Sequence, residues 1–204
     1  MSNQYLIEDE DGFILIDTGL PGNARTILQG ISNLRLNGKG LQRILITHSD
    51  GDHYGALRSL QAKTRAETCT SQAEADAIRA GVSSRKIIPK GALQTIIIRT
   101  VEPVFRSHPA QIDCILAPGD QLPVLDGMLV LDSSGHTPGH LSYYLPERKI
   151  LFSGDSIFLK KGRLIPSYGP NCWDEARATQ SMEAQLKLAP KIICGGHGII
   201  HPNT

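Results

Sequence analysis

The stretch THSDGDH, Thr47 to His53, follows directly on the apolar run ILI and sets two histidines and two aspartates almost side by side. LQRILI reads as a buried strand and HYGALRSLQAKT as a helix, so this crowd of ligand-type side chains stands at the C-terminal end of a strand. That is the edge at which α/β sheets usually build their sites. In a loop that stays extended, alternate side chains point the same way, which would set His48, Asp50 and Asp52 on one side. His53 would join them only as the chain bends into the helix, with Gly51 at the bend.

Outward from the motif, strand and helix patterns alternate. QYLI and FILID read as a hairpin across the turn EDEDG, where Gly12 can take positive φ, and ARTILQGI has helical spacing after the break DTGLPGN. ETCTS is a strand, and SQAEADAIRAG a helix with Ser71 as N-cap and Gly81 as stop. From Val82 to Pro109 the period fades around Pro89, Pro103 and Pro109, and strand and loop are expected. From Ile112 short strands take over as a meander: IDCILA, MLVLDSS, LSYYL and KILFS, separated by PGDQLP, GHTPGH and PERK. DEARATQSMEAQLKLAP is an amphipathic helix ending before Pro190, and KIICGGHG a last strand. Two strand-rich halves, each flanked by helices, suggest packed sheets with helices outside, in one domain over residues 1–204, a pattern whose periodicity other α/β arrangements share.

Lys plus Arg number 21 against 20 for Asp plus Glu, a formal charge of +1, so the chain has no general attraction for nucleic acid or anionic membrane. With no apolar run long enough to span a bilayer and no signal-peptide pattern at the start, a cytoplasmic location is expected. Cys69, Cys114, Cys172 and Cys194 form no CxxC pair and are expected as reduced thiols.

Three more ligand-type residues repeat the placement of the motif. His136 in SSGHTPGH follows the strand MLVLD, Asp155 in LFSGDS follows KILFS, and His197 in ICGGHG follows KIIC. Imidazole and carboxylate donors suit zinc, iron or manganese. Asp50, Asp52 and Asp155 in one pocket would repel one another, and divalent cations would remove that cost.

The series His48-x-Asp50-x-Asp52-His53, with LIDTG at Asp17, GHTPGH, LFSGD and GGHG, closely resembles the metallo-β-lactamase superfamily over nearly the whole chain. The resemblance implies a four-layer αββα sandwich of α/β class holding two divalent metal ions, zinc first, with iron or manganese as alternatives. It implies His48, Asp50 and His136 on one metal, Asp52, His53 and His197 on the other, and Asp155 bridging. Asp17 is expected to hold the THSDGDH loop and His140 to order its own. Position 50 departs from the pattern, since most members carry histidine there. Two divalent ions, three carboxylates and a bridging hydroxide sum to zero, where histidine at position 50 would leave one positive charge. The flavodiiron reductases of the superfamily resemble this chain in having an acidic residue at that place, but their flavodoxin-like domain is not found in this sequence.

The resemblance implies a hydrolase in which a metal-bridging hydroxide attacks a small ester, thioester or lactone, with Asp52 able to relay a proton. GDSIFLKKGRLIPSYGP resembles the segment that supplies basic and aromatic contacts in glyoxalase II type thioesterases, which makes Lys160, Lys161, Arg163 and Tyr168 candidate substrate contacts. The segment Val82 to Pro109 is expected to supply one wall of the pocket. The partner is a small molecule, with no nucleic acid and no membrane. A non-haem diiron redox or oxygen-type protein, and a metal-binding protein without turnover, are the alternatives. His108 and His201 read as surface residues, and Tyr143, Tyr144 and Trp173 as packing.

Overall fold

The computed structural model describes residues 2–34, 39–85 and 108–200, in which the strand segments form two larger sheets and a separate hairpin. In the first sheet, β1 (Tyr5–Glu8) runs antiparallel to β2 (Phe13–Ile16). Then β3 (Leu41–Leu45), β4 (Glu67–Thr70) and β5 (Cys114–Ile115) follow in parallel. The second sheet has the antiparallel meander β6 (Gln121–Leu122), β7 (Met128–Asp132), β8 (Leu141–Leu145) and β9 (Ile150–Gly154). It continues through β12 (Ile192–Gly195), parallel to β9, to β13 (Gly198–Ile200).

Side-chain alternation along the strands builds the layers. In β2, Ile14 and Ile16 join Leu45, Met128, Val130, Tyr143 and Phe152 in the core between the sheets. Phe13 and Leu15 turn the other way, onto Ala24, Leu57, Leu60, Ala75 and Ile78. Those residues lie on or beside α1 (Ala24–Asn33), α3 (Leu57–Gln61) and α4 (Gln72–Ala80). On the far face, Tyr144, Leu151 and Ile193 pack with Met182 and Leu186 of α5 (Glu175–Leu186). The result is a four-layer αββα sandwich. A strand such as β2, with all four residues buried, is what a sheet covered on both faces requires.

Three sequence expectations need correction. IDCILA does not open the meander: β5 pairs parallel with β4 in the first sheet, because the Asp113 carboxylate accepts the Thr68 N–H (2.8 Å) and the Leu116 N–H donates to the Thr70 carbonyl. HYGALRSLQAKT is not one helix but α2 (Gly51–Tyr54) and α3. The break has a cause: the His53 carbonyl accepts the N–H groups of Thr18 (2.6 Å) and Gly19 (3.1 Å), and the Ala56 N–H turns to Gly19 (3.3 Å). KIICGGHG is not the last strand, since the chain returns as β13. The segment after Asp155 forms a hairpin, β10 (Ile157–Lys160) with β11 (Arg163–Pro166), around Lys161 and Gly162, both at positive φ. Two alternating runs flanking a two-residue X-Gly step are a hairpin signal that was present in the sequence. The expectations for Val82 to Pro109 fall mostly on residues 86–107, outside the described residues.

The start of α5 docks against the loop that carries His136. The Asp174 N–H donates to the Gly135 carbonyl (2.9 Å), the Trp173 N–H to the His136 carbonyl (3.1 Å), and Ser181 Oγ to the Ser134 carbonyl (2.7 Å). Gly135 has φ 139°, and a Cβ there would lie 2.3 Å from Ala178 Cα. Gly135→Ala is therefore expected to destabilise the protein by roughly 2–4 kcal/mol, read from urea unfolding midpoints.

Candidate metal centre

Two buried carboxylates outside the ligand-type set hold the loops in place. Asp17, at φ 58° just after β2, accepts the Thr47 N–H, the Thr47 hydroxyl and the His53 Nδ1–H, each at 2.8 Å. Since the Thr47 hydroxyl donates to Asp17, its oxygen accepts from His48 Nδ1 (2.9 Å). Asp17 thus orients His53 directly and His48 through Thr47, leaving both Nε2 atoms facing the site. Glu74, fully buried on α4, accepts from the Ser49 N–H (2.8 Å) and hydroxyl, the Ser84 hydroxyl (2.8 Å), the Thr137 hydroxyl (2.7 Å) and the Gly139 N–H (2.9 Å). One carboxylate joins the THSDGDH loop, the His136 loop and the segment beyond α4.

His140 completes the frame. Its Nε2 accepts the Asp155 backbone N–H (3.1 Å), so its proton sits on Nδ1, facing Ser133 Oγ at 2.7 Å. It holds Asp155 by the backbone and is neutral: burial first, then the neighbouring His48 and His136 imidazoles, push its pKa well below the usual value.

The strand ends bring all seven ligand-type residues together. His48, Asp50 and His136 form one group and Asp52, His53 and His197 a second, while Asp155 also groups with His48 and His53. Asp50 Oδ2 lies 3.1 Å from His136 Nε2 and 3.6 Å from His48 Nε2. Asp155 reaches across, 3.3 Å from both His53 Nε2 and His197 Nε2 and 3.8 Å from His136 Nε2. Asp52 Oδ2 is 3.5 Å from His197 Nε2. Asp52 gets there by a route other than simple alternation: the chain is extended only through Asp50, the N-cap, and Asp52 and His53 lie in the first turn of α2.

Burial raises the carboxyl pKa of Asp155, but the His53 and His197 imidazoles outweigh it and hold the group well below the usual range. His53 is driven the other way: burial lowers its pKa, and Asp155 and Asp17 raise it well above the ordinary value. Among the described residues, His48 Nε2, His53 Nε2 and Asp155 Oδ1 are buried with no hydrogen-bond partner. Unsatisfied donor atoms of imidazole and carboxylate type, converging from separate loops, fit divalent cations. The backbone passes close to two of these side chains at Gly196, where a Cβ would lie 2.1 Å from Asp155 Oδ1 and 2.7 Å from His53 Cε1.

Asp50 has partners that the sequence reading missed. Arg85 Nη2 makes a short ion pair with Asp50 Oδ2, and the Ser83 hydroxyl donates to Oδ1 at 2.7 Å. Arg85 is 8% exposed, and its positive charge changes the charge count. With Arg85 included, a two-metal centre would carry the single positive charge that a histidine at position 50 would have left.

Beside the centre lies a cavity of about 390 Å³ lined by His136, Asp155, His197, the apolar Phe158, Leu159 and Ile165, and by Lys160 and Tyr168. Lys160 Nζ hydrogen-bonds to the Tyr168 hydroxyl and sits 4.7 Å from its ring centroid. Of the four proposed substrate contacts, these two line the cavity; Lys161 and Arg163 are exposed around the hairpin turn and do not. Ser167, whose hydroxyl lies 2.8 Å from His136 Nδ1, also lines it and had no sequence signal. His108 and Trp173 are exposed, Tyr143 and Tyr144 are buried, and His201 falls outside the described residues. All four cysteines are free.

The model of the metallo-beta-lactamase superfamily matches residues 1–197. The uncharacterized protein YobT of Bacillus subtilis (strain 168) is 30% identical over 96% of this chain and 82% of its own length. The probable metallo-hydrolase YflN of the same strain is 24% identical over 98% and 81%. A hydroxyacylglutathione hydrolase of Rhodopseudomonas palustris (strain BisA53) is 28% identical over 78% of this chain, which spans 51% of that protein. Among solved structures, TTHA1623 in a di-iron-bound form superposes with a TM-score of 0.73 at 25% identity, covering 100% of this chain and 91% of that one.

Two outcomes follow from the frame. Every donor around Glu74 points at a carboxylate, so Glu74→Gln turns an amide N–H₂ against them and is expected to cost about 2–4 kcal/mol in urea unfolding of the metal-free protein. Because the His140 pKa is lowered in the fold, the unfolded chain takes up a proton below about pH 6.5 that the folded chain refuses. Stability present above that pH is lost as pH falls. His140→Gln, whose side-chain carbonyl can still accept the Asp155 N–H, should flatten the slope of unfolding midpoints between about pH 5 and 7.

Proposed function

The chain belongs to the metallo-β-lactamase superfamily, and from that premise we propose that it is a dinuclear metal-dependent hydrolase acting on a small ester, thioester or lactone. The observation that carries this reading is the set of buried imidazole and carboxylate atoms on His48, His53 and Asp155 that no hydrogen bond satisfies and that face one another where the two three-residue groups meet. In this reading His48, Asp50 and His136 would hold one ion and Asp52, His53 and His197 the other, with Asp155 available to both. Zinc is the first expectation, with iron or manganese fitting the same donors. Bound ions supply a hydroxide nucleophile at neutral pH and polarise the carbonyl under attack.

The chain's own residues do the rest. Phe158, Leu159 and Ile165 wall the cavity with apolar surface that suits an acyl group and excludes water from it. Lys160 and Tyr168 present an ammonium and a hydroxyl to a polar or anionic end of the substrate. Asp52, partly exposed beside His197, is placed to take the proton released from the nucleophile and return it to the leaving group. The hydroxyacylglutathione hydrolase relatives favour a thioester within this class.

A second reading, a non-haem diiron protein of redox or oxygen type, is supported by the carboxylate at position 50 and by the di-iron form of TTHA1623. One measurement separates the two. Protein purified without added metal is analysed for its elements, and the same sample is screened on esters, thioesters and lactones. About two ions per chain are expected, with hydrolysis that chelation removes and zinc or manganese restores. Fewer than about one ion per chain would defeat the dinuclear reading. Bound iron with oxygen-dependent turnover and no hydrolysis would select the diiron reading.

A further inference from the structure

Among the described residues, Asp50 is the carboxylate of the centre that is paired with an arginine of the protein itself. Its Oδ2, the oxygen that faces His48 and His136, also takes the Arg85 guanidinium, and its Oδ1 takes the Ser83 hydroxyl. Arg85 is held there by the fold. Gly81 ends α4 in the left-handed conformation, after which the Ser84 N–H donates to Ser49 Oγ (2.8 Å) and the Ser84 hydroxyl donates to Glu74. The side chain has little solvent to screen it, and its Nε and Nη1 are buried with no partner among the described residues. A cation entering between His48, Asp50 and His136 would meet both the shared carboxylate and a nearby positive charge.

The position formed by Asp52, His53 and His197 has no such competitor among the described residues. His53 there is backed directly by the Asp17 carboxylate, whereas His136 at the first position is backed only by the Ser167 hydroxyl. A carboxylate behind an imidazole makes it the more basic ligand.

We propose that Arg85 sets the occupancy of the His48–Asp50–His136 position: by sharing Asp50 with the incoming ion it makes this the weaker of the two positions, so the centre fills in order, the Asp52–His53–His197 position first. The proposal rests on the metal-binding reading above. Arg85 acts through Asp50 and is a positioning residue. Two effects of removing it oppose each other: loss of a hydrogen bond to a ligand weakens metal binding, and loss of a close positive charge strengthens it. The second dominates, because Ser83 still orients Asp50 and because repulsion between a guanidinium and a divalent ion is strong where solvent is scarce.

The test titrates metal-free wild-type protein, Arg85→Gln and Arg85→Lys with Co(II), following heat and visible absorption, with circular dichroism to check folding. The wild type is expected to bind in two steps, the stronger lost in His197→Ala and the weaker in His136→Ala. Arg85→Gln should tighten the weaker step by at least about tenfold, and Arg85→Lys, which keeps the charge, should stay nearer the wild type. Two equal steps in the wild type, the reverse order of filling, or a weaker step that Arg85→Gln leaves unchanged or loosens would each overturn the proposal. Should Arg85→Gln fail to fold, the order of filling in the wild type still decides. Binding of no ion at all would instead defeat the metal-binding reading itself.

Discussion

The centre depends on how three separate loops are held against one another, and Glu74 is the group that does this. A carboxylate without solvent is costly unless its lone pairs are filled, and the donors that fill them come from Ser49, Ser84, Thr137 and Gly139. Those residues border the THSDGDH loop, the Ser83–Arg85 segment and the His136 loop. The cost of burying the charge is thereby converted into a constraint, since no loop can move without leaving the carboxylate short of a donor. Asp17 does the same on the other side, joining Thr47 and His53.

On this frame the charges of the centre are distributed unequally. Asp50 shares its oxygens with Arg85 and Ser83, while Asp155 faces only the imidazoles of the centre with its side chain and keeps one buried oxygen without a hydrogen bond among the described residues. A carboxylate in the place of a histidine would by itself lower the charge of the centre. The guanidinium beside it restores that charge, so the substitution changes the geometry and the competition at position 50 more than the net electrostatics.

Much of this was legible in the sequence. The hairpin β1–β2, the strand before THSDGDH, the cap at Ser71 and the stop at Gly81 follow from local pattern, and local pattern is set by neighbours in the chain. Glu74 was not singled out in the sequence, where it stands three residues after the Ser71 cap and nothing marks its side chain as leaving the helix start. The break between α2 and α3 was not legible, because the His53 carbonyl is taken by Thr18 and Gly19 from a distant segment. The hairpin β10–β11 was missed although its two-residue turn was written plainly around Gly162.

By itself, the sequence determined the family, the αββα layering and the set of imidazole and carboxylate side chains at strand ends. The strand-end placement of those side chains is a property of spacing and periodicity, which a single chain records, whereas the family, and with it the αββα layering, is what the resemblance carried by the full set of motifs implies. Only the tertiary structure decided which of those groups would be shared with the rest of the protein. Arg85 reaches Asp50, and Glu74 reaches Thr137, because packing brings distant segments within hydrogen-bond range. Nothing local to either residue encodes its partner, since a buried charge must be paired but the chain does not state with whom.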